Sequence, residues 1–345
     1  MRINQRGNIT PATPTTQNMI YPIDRFIILN EGSTVSYFQR SIDTNTTPAL
    51  LSNSNFIFRN CIQLRRDTAG AGDDYVAIEQ AIEGFNISDL LFGTSSASPI
   101  TLSFWLYTDM ATGDPGLGQY HILVRNGNNT QYYFANYTIS ASNTWQYITL
   151  TIPGCTVGTW DTTTSIGLAI RFMFAANSSK YRSTASYNSW HTPSSFLQDY
   201  PDSSKRLTSG KSVWITGVQL EKGSVATPFE FRPYPIELQL CQRYCQLRGN
   251  GILGRLTSDL KAFQSGFSIV PPMRSTTITA SKLTPTSTIT FGVLGFQDQT
   301  TDSGASIAIS PAGKYFAIIW STPFTGAQSG AICIMYNDII LSSEF

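Results

Sequence analysis

The chain has 345 residues, 41% of them hydrophobic and only 13% charged, against roughly 25% charged in an average globular domain. Its 23 Lys and Arg oppose 22 Asp and Glu, and a net charge of +1 provides no basic field for nucleic acid or an anionic membrane. No apolar run approaches the roughly 20 residues of a spanning helix, and two histidines with an odd five cysteines argue against a zinc site or a disulfide framework.

Residues 1–20 are polar and aperiodic, with Pro11 and Pro14 between threonines, and read as an extended arm. The opening Met1-Arg2-Ile3-Asn4-Gln5-Arg6-Gly7 has no apolar signal core, so synthesis in a cytoplasm without a signal peptide is expected. From Tyr21 onward, apolar and polar residues alternate with period two. Phe56, Phe58, Ile62 and Leu64 alternate with Ile57, Arg59, Cys61, Gln63 and Arg65. Val76, Ile78 and Ile82 alternate with Tyr75, Glu79 and Glu83. Leu102, Phe104 and Leu106 alternate with Ser103, Trp105 and Tyr107, and Ile148, Leu150 and Ile152 with Tyr147, Thr149 and Thr151. Leu168, Ile170, Phe172 and Phe174 alternate with Ala169, Arg171 and Met173, and a last strand covers 213–220. Turn clusters such as Asp114-Pro115-Gly116 and Asn126-Gly127-Asn128-Asn129 separate these runs. Many strands without intervening helices, each with one apolar face, predict an all-β jelly-roll sandwich of two antiparallel sheets over 21–232. The stretch 177–211 is long for a loop of a compact domain and carries Tyr181, Tyr187, Trp190, His191 and Tyr200.

Pro235 then opens a helix expected over 236–246. Ile236, Leu240 and Tyr244 share one stripe and are candidate oligomer-packing residues, while Gly249 and Gly251 end the helix. A helical connector over 233–250 therefore leads to a second, smaller β-rich domain over 251–345. Its strands are expected near 267–270, 275–281, 286–294, 306–310, 315–320 and 331–336.

Three stretches carry a family resemblance. Ile3-Asn4-Gln5-Arg6-Gly7 with Tyr21-Pro22-Ile23-Asp24-Arg25-Phe26 resembles the opening of structural proteins of tailed phages, among them tail-fibre and minor tail proteins. The block from Trp214 through Gln219-Leu220-Glu221-Lys222-Gly223-Ser224-Val225-Ala226-Thr227-Pro228-Phe229-Glu230-Phe231-Arg232 to Leu240-Cys241-Gln242-Arg243-Tyr244-Cys245 closely resembles a second segment of that family. Val270-Pro271-Pro272-Met273-Arg274 is similar to the segment opening its distal domain. Phe26 replaces the usual Trp, and Cys245 the usual second Tyr. The resemblance implies a carbohydrate-binding-module-like jelly roll, location in a virion, attachment to other virion proteins through 1–20, and a homotrimer.

For catalysis, glycoside cleavage needs two carboxyl groups roughly 5–9.5 Å apart. Asp73 and Asp74 are neighbours that point to opposite faces, and Glu79 and Glu83 on one strand would stand about 13 Å apart. No nucleophile elbow, HExxH or phosphate loop occurs, so no enzyme activity is expected. Sugar rings stack on exposed aromatic faces, which makes Trp105, Tyr107, Tyr147, Arg171, Tyr187 and Trp190 the candidate glycan-binding residues, with Tyr75 and Gln146 as further polar contacts. Packing by other strands is the alternative role for each aromatic. Calcium braces related jelly rolls and takes 6–8 oxygens; Asp24, Asp73, Asp74 and Glu230 are the conceivable ligands, but no loop has an EF-hand-like spacing and no cofactor is expected. Two roles share every motif: a short tail fibre or receptor-binding protein touching a host-surface glycan, and a head-decoration or tail-adaptor protein without a receptor. A glycan depolymerase is disfavoured by the missing acid pair.

Overall fold

The chain divides into two units, Met1–Arg232 and Pro233–Glu344, and among the described residues the first holds twelve strands, six of which carry the period-two runs named above. The computed structural model describes residues 5, 18–42, 58–68, 75–176, 187–192, 207–248, 252–256, 262–266, 273–274, 279–282, 290–293, 299–300, 306–309, 315–319, 332–335 and 339–342. The strands of the first unit are β1 (Asn18–Ile23), β2 (Phe26–Glu31), β3 (Thr34–Ser41), β4 (Asn60–Thr68), β5 (Tyr75–Glu83), β6 (Ile100–Thr108), β7 (Gly118–Asn126), β8 (Tyr132–Ile139), β9 (Gln146–Ile152), β10 (Ile166–Ala176), β11 (Trp190–His191) and β12 (Lys211–Lys222). They form a seven-stranded sheet, β1-β2-β5-β10-β7-β8-β11, and a five-stranded sheet, β3-β4-β12-β6-β9. Every pairing is antiparallel. The result is the expected jelly-roll sandwich.

The core lies between the sheets. Ile78, Ile122, Leu168, Ile170 and Phe172 enter it from the larger sheet, and Ile62, Leu64, Leu102, Phe104, Leu106, Val213 and Ile215 from the smaller. These are the apolar members of each alternation, because successive strand residues face opposite sides. Phe104 sits edge-on to Tyr137 at 5.4 Å and to Phe172 at 5.1 Å. Such aromatic pairs contribute about 0.5–1.5 kcal/mol beyond their buried area.

Polar side chains fix the connections. The Asn126 Oδ1 accepts the backbone N–H groups of Thr130 (2.8 Å) and Gln131 (3.0 Å), closing the predicted Asn-Gly turn. Buried Arg66 donates to the carbonyl of Leu207 at 2.9 Å and to the Ser33 hydroxyl at 3.2 Å, so it ties the chain entering β12 to the β2–β3 connection. Of the expected arm, Asn18–Ile20 belong to β1, and Gln5 donates to Asp24 through its side-chain amide at 2.8 Å and its backbone N–H at 3.3 Å. Two halves of the opening motif are thus bonded to each other. Cys61, Cys155, Cys241 and Cys245 are buried.

The second unit begins with α1 (Tyr234–Gln242), with Pro235 in its first turn. The helix ends four residues earlier than its apolar stripe suggested. The Tyr244 N–H turns back to the Cys241 carbonyl, and Cys245 enters strand β13 (Cys245–Arg248), whose pairing with a distant segment outweighs helix continuation. Ile236 and Leu240 are exposed, while Tyr244 lies beyond the helix and is buried. The remaining strands are β14 (Ile252–Leu256), β15 (Ala262–Gly266), β16 (Thr279–Lys282), β17 (Thr290–Val293), β18 (Gln299–Thr300), β19 (Ser306–Ile309), β20 (Tyr315–Ile319), β21 (Ile332–Met335) and β22 (Ile339–Ser342). They make a three-stranded sheet, β13-β22-β16, and a seven-stranded sheet, β18-β17-β21-β14-β15-β20-β19. The expected strand at 267–270 lies outside the described residues. The Arg274 N–H bonds the Arg243 carbonyl at 2.8 Å, joining the second and third of the familiar stretches. Among the described residues no helix is long and apolar enough to cross a membrane.

Candidate functional site

On β6 the core takes Leu102, Phe104 and Leu106, which leaves Trp105 and Tyr107 on the outer face of the five-stranded sheet. Trp105 stands opposite Tyr147 of β9, with ring centroids 5.2 Å apart and planes tilted by 39°. Tyr147 is 48% exposed and Trp105 half-buried. Next to them on β9, exposed Thr149 offers a neutral hydroxyl. The pair forms an open aromatic platform edged by a hydroxyl.

Tyr107, two residues along the same strand, has a different fate. It packs against Trp145 at 5.6 Å and edge-on to Trp214 at 5.3 Å, in a cluster with Ile42, Phe58 and Cys61, and is 4% exposed. Its hydroxyl bonds the Asn143 side chain at 3.1 Å. Burial pushes the Cys61 thiol up to about 12, outweighing the nearby Arg40, which leaves it unreactive.

The family-like block around Gln219 walls this face. β12 is irregular between Thr216 and Gln219, where Gly217 adopts φ 59°. The Phe58 ring lies over that glycine, 2.5 Å from where a Cβ would stand. Phe229 and Phe231 pack on Phe58 at 5.0 and 5.5 Å. The Gln219 side-chain amide oxygen Oε1 accepts the Glu230 N–H at 2.8 Å, and the Glu221 carboxylate accepts both the N–H (3.1 Å) and the hydroxyl of Thr227. The Thr101 hydroxyl donates to the Gly223 carbonyl at 2.8 Å. The block is therefore a closure that folds the end of the unit back across the outer face.

The other candidates lie elsewhere. Arg171, on the outer face of the seven-stranded sheet, bonds Glu79 at 2.5 Å and the Tyr75 hydroxyl at 2.6 Å. Arg125 bonds the second oxygen of Glu79 at 2.7 Å, and all three charged side chains are less than 10% exposed. Burial alone would raise the Glu79 carboxyl, but the Arg171 and Arg125 guanidiniums outweigh it and hold the group below the usual glutamate range. Tyr187 packs beside His121 at 5.6 Å against the same sheet's outer cluster. Trp190 packs against the sandwich core, between Tyr133 at 5.3 Å and Trp160 at 5.6 Å, and its indole N–H donates to the Pro153 carbonyl at 2.7 Å. Gln146 caps the preceding turn through Ser140 and Ala141. The six glycan candidates thus divide among three places, and only Trp105 and Tyr147 meet as an open pair.

Of the conceivable calcium ligands, Asp24 holds Gln5, Glu230 bonds Arg232 at 3.1 Å, and Asp73 and Asp74 lie outside the described residues. Among the described residues no group of three or more His, Cys, Asp or Glu could hold a metal ion. The Arg125–Glu79–Arg171 triad and the Phe58–Gly217 contact escaped the sequence reading, since each depends on which strands become neighbours.

No family model matches the chain, and no curated protein matches it. Among solved structures the chain is similar to a CBM4 structure at 12% identity, covering 57% of this chain and 94% of that one with a TM-score of 0.28. It is similar to TmCBM61 in complex with β-1,4-galactotriose at 8% identity, covering 57% and 88%, with a TM-score of 0.28. The CBM22-1–GH10 modules of the Clostridium thermocellum xylanase 10B, complexed with xylohexaose, match at 8% identity over 72% of this chain and 33% of that one, with a TM-score of 0.30. These structural neighbours contain carbohydrate-binding modules.

Proposed function

We propose that this chain is a non-enzymatic structural protein of a phage particle, a short tail fibre or receptor-binding protein, whose jelly roll holds a host-surface glycan on Trp105 and Tyr147. The observation that carries the glycan reading is the open Trp105–Tyr147 pair, two rings 5.2 Å apart on register-matched strands with an exposed hydroxyl beside them. A sugar ring presents C–H groups on one face and hydroxyls at its rim, which suits an aromatic floor with neutral polar neighbours. The virion assignment rests on the Gln5–Asp24 opening and the Trp214–Cys245 block. The non-enzymatic assignment is supported by Glu79, a carboxylate clamped by two guanidiniums and so unsuited to protonate a leaving oxygen.

Glycan-array screening followed by calorimetry tests the first part. Trp105→Ala and Tyr147→Ala are each expected to weaken binding about tenfold or more, as for central aromatic anchors. Tyr147→Ala should leave the melting temperature nearly unchanged, because its ring is half exposed. Unchanged affinity in both variants would assign the pair to packing alone. A cryo-electron-microscopy map of the particle tests the second part: density projecting from the tail is expected, whereas density flat on the capsid shell would make the chain a decoration protein.

A further inference from the structure

Four strands end the two sheets of the first unit, and three of them carry features that oppose pairing with another chain. β1 contains Pro22 and loses register between Ile20 and Ile23. β3 slips between Thr34 and Val35 and carries Arg40. β11 is two residues long. Short, charged, irregular or proline-bearing edges are how sheets avoid extending into one another. β9 has none of these. It reads QYITLTI, without charge, proline or glycine, and keeps unbroken register with β6 from Gln146 to Ile152. Among the described residues no strand lies beyond it. Its inward-facing Ile148 and Leu150 are only partly buried, as residues on an uncovered edge are.

The segment is also complementary to itself. Turned antiparallel about Thr149, it sets Ile148 against Leu150 of a second copy on the inner face. On the outer face it sets Tyr147 against Thr151 and Thr149 against its own counterpart. No like charges meet, and Ile148 and Leu150 cover each other, while Ile152 faces Gln146. We propose that β9 pairs with β9 of a second copy of this chain, fusing two five-stranded sheets into one of ten strands. The two-fold axis keeps both outer faces on one side. The two Tyr147 side chains would then stand about 14 Å apart, from four residues of strand rise and one inter-strand spacing. The paired platforms form one bivalent glycan surface; that consequence rests on the glycan reading, whereas the pairing itself does not.

Sedimentation of the full chain without glycan tests the pairing. Wild type is expected to form an even-numbered assembly. Exposed Thr149 tolerates Lys or Glu in a single chain, but the pair would oppose two like charges, so Thr149→Lys and Thr149→Glu should each weaken association about tenfold or more. Mixing the two variants should restore it as a heterodimer, which separates lost pairing from lost folding. A monomeric wild type, an odd-numbered assembly such as the trimer implied by the family resemblance, or undiminished association of Thr149→Lys would overturn the proposal. Because no glycan is present, a failure of glycan binding would leave this result unaffected.

Discussion

Glu79→Gln is expected to destabilise the first unit by about 3–5 kcal/mol, as removal of one partner from a buried ionic cluster does. Glu79 lies in the middle of β5, opposite Arg171 of β10, and accepts from Arg171 through one oxygen and from Arg125 through both. A neutral amide leaves two guanidiniums close together and less than 10% exposed. In a unit of this size the melting temperature should fall on the order of 10 °C. Arg125→Met or Arg171→Met should cost less, since each leaves a balanced pair. The carboxyl is held below its ordinary value in the folded state. Its contribution is therefore fully present above the unfolded glutamate pKa of about 4.3 and is lost as the pH falls toward the lowered folded value. The gap in melting temperature between wild type and Glu79→Gln should narrow over that acid range. A gap that stays constant from neutral pH into acid would contradict this account of the triad.

The second large effect is expected at Gly217. Its φ of 59° disfavours any side chain, and a Cβ there would meet the Phe58 ring at 2.5–3.0 Å. Gly217→Ala combines backbone strain with overpacking, for a cost of about 2–4 kcal/mol. Phe58 also carries Phe229 and Phe231, so the same change should loosen the returning segment beside the platform. Denaturant melts of Gly217→Ala, Phe58→Leu and the double variant check the mechanism. The double variant should cost less than the sum, because a smaller side chain vacates the contested space. Strict additivity would locate the cost in the backbone alone.

The same block shows how far local reading reaches. Thr227-Pro228-Phe229 as an extended exit is legible because proline geometry acts over a few residues, whereas Glu221 and Lys222 still belong to β12. That Gln219 and Glu221 receive Glu230 and Thr227 is a shape only the folded segment displays. At α1 the local stripe Ile236, Leu240 and Tyr244 pointed to a longer helix, and strand pairing of Cys245–Arg248 with Ile339–Ser342 cut it short.

The amino-acid sequence by itself determined the alternation of β4, β5, β6, β9, β10 and β12, which faces of them are apolar, and hence the sandwich class, because side-chain alternation is a property of neighbouring residues. It placed Trp105 and Tyr107 on the same outer face with nothing to distinguish them. Tertiary structure separated them: Trp145 and Trp214 close over Tyr107, while Trp105 packs at the margin of the same cluster and stays half-buried beside the edge residue Tyr147. It also set Arg171 against Glu79, 92 residues away in the chain. Strand order depends on which segments meet across long loops, and no residue's local preference encodes its partner on the next strand.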